Sequence, residues 1–197
     1  MMRHKKRVPI SQLFLTMAFL LLLQACQIFN QNNIDALESE LEAIASVTET
    51  ELDIKKIQAV STKLAKAYEE FAESHPSAEK TPEYLYKSAD LYRSYNIDQR
   101  KAAILFEKLY DNYPTYIKSP DALFHLGFIY NNHLNNTAKA REVYAEFISK
   151  YPDHNQVVSA EFELQHLGKS SKDILEEITA DEFSEMADTV VSDTQLP

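Results

Sequence analysis

The chain has 197 residues, only two of them glycine, and no tryptophan. Folds built on many tight hairpins need more glycine than that, because primed turns require positive φ, so the composition points to helices. A formal net charge of −10 excludes a nucleic-acid binder, whose phosphate contacts need clustered Lys and Arg.

The first segment stands apart from the fold. MMRHKKR carries four strong cations and no acid, and Leu13 to Leu23 is an apolar run broken only by Thr16. The run is shorter than the ~20 residues of a membrane span and has the length of a signal-peptide core. Leu23-Gln24-Ala25-Cys26 follows, with the chain's single cysteine directly after a small residue. This stretch resembles the lipobox of bacterial lipoproteins, with Gln24 as a departure from the usual pattern. The resemblance implies cleavage before Cys26 and acylation of that residue. An ordinary secretory signal with an incidental cysteine, or an uncleaved anchor, is the alternative. Acylation gives an odd cysteine in an exported chain a role, and several acyl chains anchor stably where one does not. Removing residues 1–25 moves the net charge from −10 to −14, so attachment must come from lipid rather than from the protein surface.

Residues 26–33 read as the lipidated cysteine and a polar tether, reaching roughly 25 Å when extended. A helical repeat domain is expected over 34–170. Ile34, Leu37, Leu41 and Ile44 fall on one helical face, and a second helix is expected from Thr50 to Ser74, started near Thr48 or Thr50.

From this point the chain repeats itself. EEFAESHP, KLYDNYP and EFISKYP end at Pro76, Pro114 and Pro152, each 38 residues from the next. At that offset Leu64, Ala102 and Ala140 correspond, as do Ala67, Leu105 and Val143. Tyr68, Phe106 and Tyr144 follow, then Phe71, Leu109 and Phe147. These positions form one face of a helix that each proline closes. Past the proline, TPEYLYKSADLY from Thr81 aligns with SPDALFHLGFIY from Ser119, each read as a Ser/Thr cap, a proline and an early acid. The third copy keeps Ala160, Phe162, Leu164 and Leu167 as its apolar positions and ends at Gly168.

Helices are therefore expected at about 82–94, 98–113, 119–133, 136–151 and 157–168, with a short one at 172–178. The fold class is all-α, a helix-pair solenoid of about three 38-residue units plus an irregular first helix. Residues 171–197 hold eight acids and one cation and read as a mostly disordered tail.

The pattern resembles the tetratricopeptide repeat family. Leu126, Gly127 and Tyr130 match its first helix, and Ala140, Tyr144 and Pro152 its second. In the preceding copy Ala89, Tyr92, Ala102, Phe106 and Pro114 take those places. The 38-residue period exceeds the family's usual length. Long, proline-marked repeats of this sort resemble those of the lipoprotein subunit of the outer-membrane β-barrel assembly machinery and of the Tol-Pal cell-division coordinator. The resemblance implies a lipid-anchored scaffold on the periplasmic face of the outer membrane, where Gln27 rather than aspartate follows the cysteine. Its partners would be envelope proteins, with the membrane touched only through the acyl anchor. A regulator of a cell-wall enzyme, or a self-associating structural lipoprotein, is the alternative.

No catalytic motif is present. The chain has neither a Gly-rich phosphate loop nor HExxH, and Cys26 lies outside the domain. His75, His125, His133, His154 and His166 lack metal-ligand spacing and read as structural. No enzyme activity, cofactor, metal, nucleic acid or small-molecule substrate is expected. Tyr84, Tyr95, Tyr110, Tyr116 and Phe128 lie off the strongest core stripe or beside a loop. They are the candidate partner-binding residues, since aromatics supply large contact area.

Overall fold

The computed structural model describes residues 31–46, 51–170, 172–177 and 179. Cys26, the expected signal segment, the start signals at Thr48 and Thr50 and most of the acidic tail lie outside them. The described elements are α1 (31–45), α2 (Glu51–Ser74), α3 (Thr81–Ser94), α4 (Gln99–Asn112), α5 (Ser119–Asn132), α6 (Thr137–Lys150), α7 (Val157–Gln165) and α8 (172–177). There is no strand among the described residues. The architecture is all-α and tetratricopeptide-like, built of helix pairs. It divides after Ile97 into two compact units.

In the first unit α1 packs on α2 and α3. Ile34, Leu64, Ala67, Tyr68, Phe71 and Tyr84 form its buried core, with Leu37, Leu41, Ala78 and Leu91 against it. Each large side chain so buried contributes about 1.5–3 kcal/mol. The α1 helix starts before Ile34 and takes in residues 31–33 of the expected tether. Gln31 Nε2 donates to Asp35 Oδ1 at 2.7 Å, which supports this early first turn.

In the second unit α4, α5, α6 and α7 pack each on the next. Short connections between such neighbours make them antiparallel. The equivalent positions Ala102 and Ala140, Leu105 and Val143, Phe106 and Tyr144, and Leu109 and Phe147 are all buried. Small residues at 102 and 140 let the helices approach. In the first unit Leu64 fills the equivalent site and is also buried.

The loop at each proline is copied bond for bond. His75, Tyr113 and Tyr151 donate their amides to Phe71, Leu109 and Phe147 carbonyls, each at 2.9 Å. The amides of Ala78, Tyr116 and His154 return to the carbonyls of His75, Tyr113 and Tyr151 at 3.0 Å. Those of Thr81, Ser119 and Val157 then reach Ala78, Tyr116 and His154. The prolines are exposed and stand where no amide donor is needed.

Thr81 and Ser119 do not cap their own helices as expected. The capping positions are Lys80 and Lys118, which make no side-chain cap bond. The Thr81 and Ser119 side chains are instead buried and donate back to the carbonyls of His75 and Tyr113. Side-chain capping occurs at the other loops. Asp98 accepts from the Lys101 amide at 3.0 Å and Asn136 from the Lys139 amide at 3.2 Å.

The third copy diverges. α7 ends at Gln165 rather than 168, and His166, Leu167 and Gly168 form a turn in which Gly168 has φ +78°. Phe162, expected in the core, is 44% exposed.

Candidate functional site

The arc of α5 formed by Ala122, Leu123, Leu126, Gly127 and Ile129 is buried. At 100° per residue, Asp121, Phe124, Phe128 and Asn131 fall on the opposite side. They form a second, half-buried stripe. Phe124 leans on α6, with ring centroids 5.9 Å from Tyr144 and 5.7 Å from Phe147.

α7 meets this stripe at Asn131. Asn131 Nδ2 donates to Glu163 Oε2, and the Gly168 amide donates to Asn131 Oδ1, both at 3.3 Å. One asparagine thereby ties α5 to α7 and to the turn beyond. Val158 is 76% exposed, and the Phe162 ring lies 4.2 Å from that of His166. Phe162 stands one period from Phe124. What covers Phe124 is α6; the equivalent side of α7 is open.

Behind this face, Gly127 and Tyr144 meet closely. A Cβ at 127 would lie 2.8 Å from Tyr144 Cε1. Tyr144 is fully buried, and its hydroxyl has no hydrogen-bond partner among the described residues. Burial pushes that phenol well above its ordinary range.

The structure does not gather the five candidate aromatics into one site. Tyr84 is 2% exposed, packed 4.8 Å from Tyr68 and 4.9 Å from Phe71, so it is core and cannot meet a partner. Its hydroxyl donates to Gln31, a contact supplied by a helix that no sequence stripe ties to it. Tyr95 is half-buried, and its carbonyl accepts from Gln58. Tyr110 is half-buried between α4 and α6. It donates to Glu146 at 2.7 Å and accepts from Lys150 at 2.7 Å. Burial and the Glu146 carboxylate push its phenol up to about 12, against the opposing bond from Lys150. Tyr116 sits half-buried in the proline loop beside Ile117, which is 82% exposed. Of the five, only Phe128 lies on the α5 stripe. Its ring is 5.8 Å from that of His133.

Ala89, Ala102 and Ala140 are fully buried, Gly127 is buried, and Tyr92 is 5% exposed. Tyr130 is half-buried under the Lys139 ammonium, 5.4 Å from its ring centre. Phe124, Phe162 and Val158 are absent from the sequence-based candidates. The signal that relates the two phenylalanines is the period itself.

A first unit counterpart to the α4–α6 polar contact joins α1, α2 and α3. Glu38 accepts from the Tyr68 hydroxyl and from Lys87 Nζ, the latter at 2.9 Å. Burial alone would raise the Glu38 carboxyl, and these two donors outweigh it and lower it.

Among the described residues no cluster of three or more His, Cys, Asp or Glu is placed to hold a metal, and no helix is long and apolar enough to cross a membrane. Comparison with known families matches residues 121–154 to the tetratricopeptide repeat. The matched stretch runs from the first turn of α5 to the loop after α6, one helix pair with its proline. No curated protein matches the chain. Fold and site together define a helix-pair repeat protein of the kind that serves protein–protein interaction.

Proposed function

We propose that this protein is a lipid-anchored, non-catalytic scaffold on the periplasmic face of the outer membrane, where its repeats hold protein partners during assembly or coordination of an envelope complex. One observation carries the scaffold reading. A tetratricopeptide-like pair, α5 and α6, is followed by α7, which leaves Val158 and Phe162 exposed beside the Phe128 stripe. Rigid helices hold that face, and aromatic side chains on it lose little entropy on binding. The anchoring rests on the sequence alone: the basic start, the apolar run and Leu-Gln-Ala-Cys26.

Cross-linking in intact cells, followed by solubilisation of the envelope and mass analysis, tests both parts. The amino-terminal peptide is expected to begin at an acylated Cys26, and Cys26→Ala should release the protein from the membrane fraction. An unmodified Cys26 would sink the anchor. Envelope proteins cross-linked to the wild type should be lost from Phe162→Asp, whose solvent-facing change leaves the fold intact. Retention of the same partners by that variant would move the site elsewhere.

A further inference from the structure

We propose that the exposed face of α7 takes a cationic amphipathic segment of its partner, one presenting apolar side chains together with Lys or Arg. This rests on the docking reading above and specifies the occupant.

The charges of the second unit are sorted by helix. All six Lys and Arg residues of α4 to α7 lie on α4 and α6: Arg100, Lys101, Lys108, Lys139, Arg141 and Lys150. α5 and α7 carry none, and hold the acids Asp121, Glu161 and Glu163. Two of these cations are engaged within their own layer, Lys150 on Glu146 at 2.6 Å and Lys139 near Glu107 at 3.7 Å. The acids of α5 and α7 have weaker company. Glu163 accepts from the neutral Asn131 amide, and Asp121 faces His154 Nε2 at 3.6 Å. Glu161 is exposed. Lys169, just beyond α7, is engaged by Glu177 at 2.5 Å.

The apolar and acidic groups are interleaved. Along α7, Val158, Glu161 and Phe162 all point to solvent. A guest that covers Val158 and Phe162 therefore places its neighbouring side chains at Glu161. A Lys or Arg there gains a charge-assisted bond, and over an exposed phenyl ring within ~6 Å it gains a cation–π contact. An acidic guest meets like charge at Glu161. So does a second copy of the same face, which makes self-association through it unfavourable.

The test uses the full mature chain with a photo-crosslinking benzophenone side chain in place of Val158. Three short synthetic peptides serve as probes: alternating Leu and Arg, alternating Leu and Glu, and alternating Ser and Arg. The Leu/Arg peptide is expected to bind and to cross-link at position 158, and the other two to do neither. Glu161→Lys should weaken its binding by about tenfold, a change of ~1.4 kcal/mol. Glu142→Lys, on exposed α6 surface, should leave it unchanged. Equal cross-linking by the Leu/Glu peptide would overturn the cationic assignment while leaving the docking face standing. Equal binding by Ser/Arg would reduce the effect to bulk charge and overturn it too. Cross-linking by none of them, or self-cross-linking of the protein at 158, would remove the docking face itself.

Discussion

Gly127→Ala is the sharpest probe of how the second unit is packed. An alanine Cβ would stand 2.8, 2.9 and 3.0 Å from Tyr144 Cε1, Cδ1 and Cζ. The ring would have to withdraw by roughly 0.7 Å to reach an ordinary carbon–carbon separation. It has little room, since Tyr144 is fully buried with Phe124 beside it. Overpacking of this kind costs about 1–3 kcal/mol. Against it stands the helix preference of Ala over Gly, about 0.8–1.0 kcal/mol. The net expectation is a loss of about 1 kcal/mol, which in a unit of this size lowers Tm by ~4–8 °C. Circular dichroism melts read this directly. The same change made on a Tyr144→Leu background lacks the ring, so only the helix preference remains and Gly127→Ala should stabilise. Equal effects in the two backgrounds, or a gain in the wild type, would refute the close approach.

Tyr144→Phe should raise stability by about 1 kcal/mol, because the buried hydroxyl has no partner among the described residues and Phe106 already occupies the equivalent place in the preceding copy. The urea midpoint should rise with an unchanged slope. Asn136→Ala should cost about 1 kcal/mol through loss of the bond to the Lys139 amide, read by the same titration. Glu38→Gln tests the α1 contact through pH. The folded-state carboxyl lies below its ordinary value of 4.5, so its stabilisation is present above that value and is lost as pH falls through the folded pKa. The variant should be less stable than wild type at pH 7, and the gap should narrow as pH falls through the folded-state pKa. A gap that persists in acid would assign the effect to packing rather than to the ionised group.

The loop geometry shows why some features were legible and others were not. A proline every 38 residues, with an apolar face before it, is a local pattern, and local patterns dictate the same backbone wherever they recur. The loops after α2, α4 and α6 accordingly repeat their hydrogen bonds although only the proline is identical in all three. The Thr81 and Ser119 side chains defeated the cap reading because each hydroxyl donates to a carbonyl of the preceding loop instead of accepting from an amide of its own helix. The carbonyl left open by the preceding helix lies within reach only after the loop has folded.

By itself the sequence determined the helices, their order, the repeat and the identity of the stripe each helix buries, because these depend on spacing along one chain. Only the tertiary structure decided which aromatics meet solvent. Tyr84 shares its repeat position with Ala122 and Ala160, which are also buried, and α1 folds back over it, with Ile34 in the same core and Gln31 Oε1 accepting its hydroxyl bond. Phe162 is the period counterpart of Phe124, but no described helix covers it as α6 covers Phe124. Exposure is a property of what packs against a residue, and its neighbours in space are supplied by segments far away in the chain.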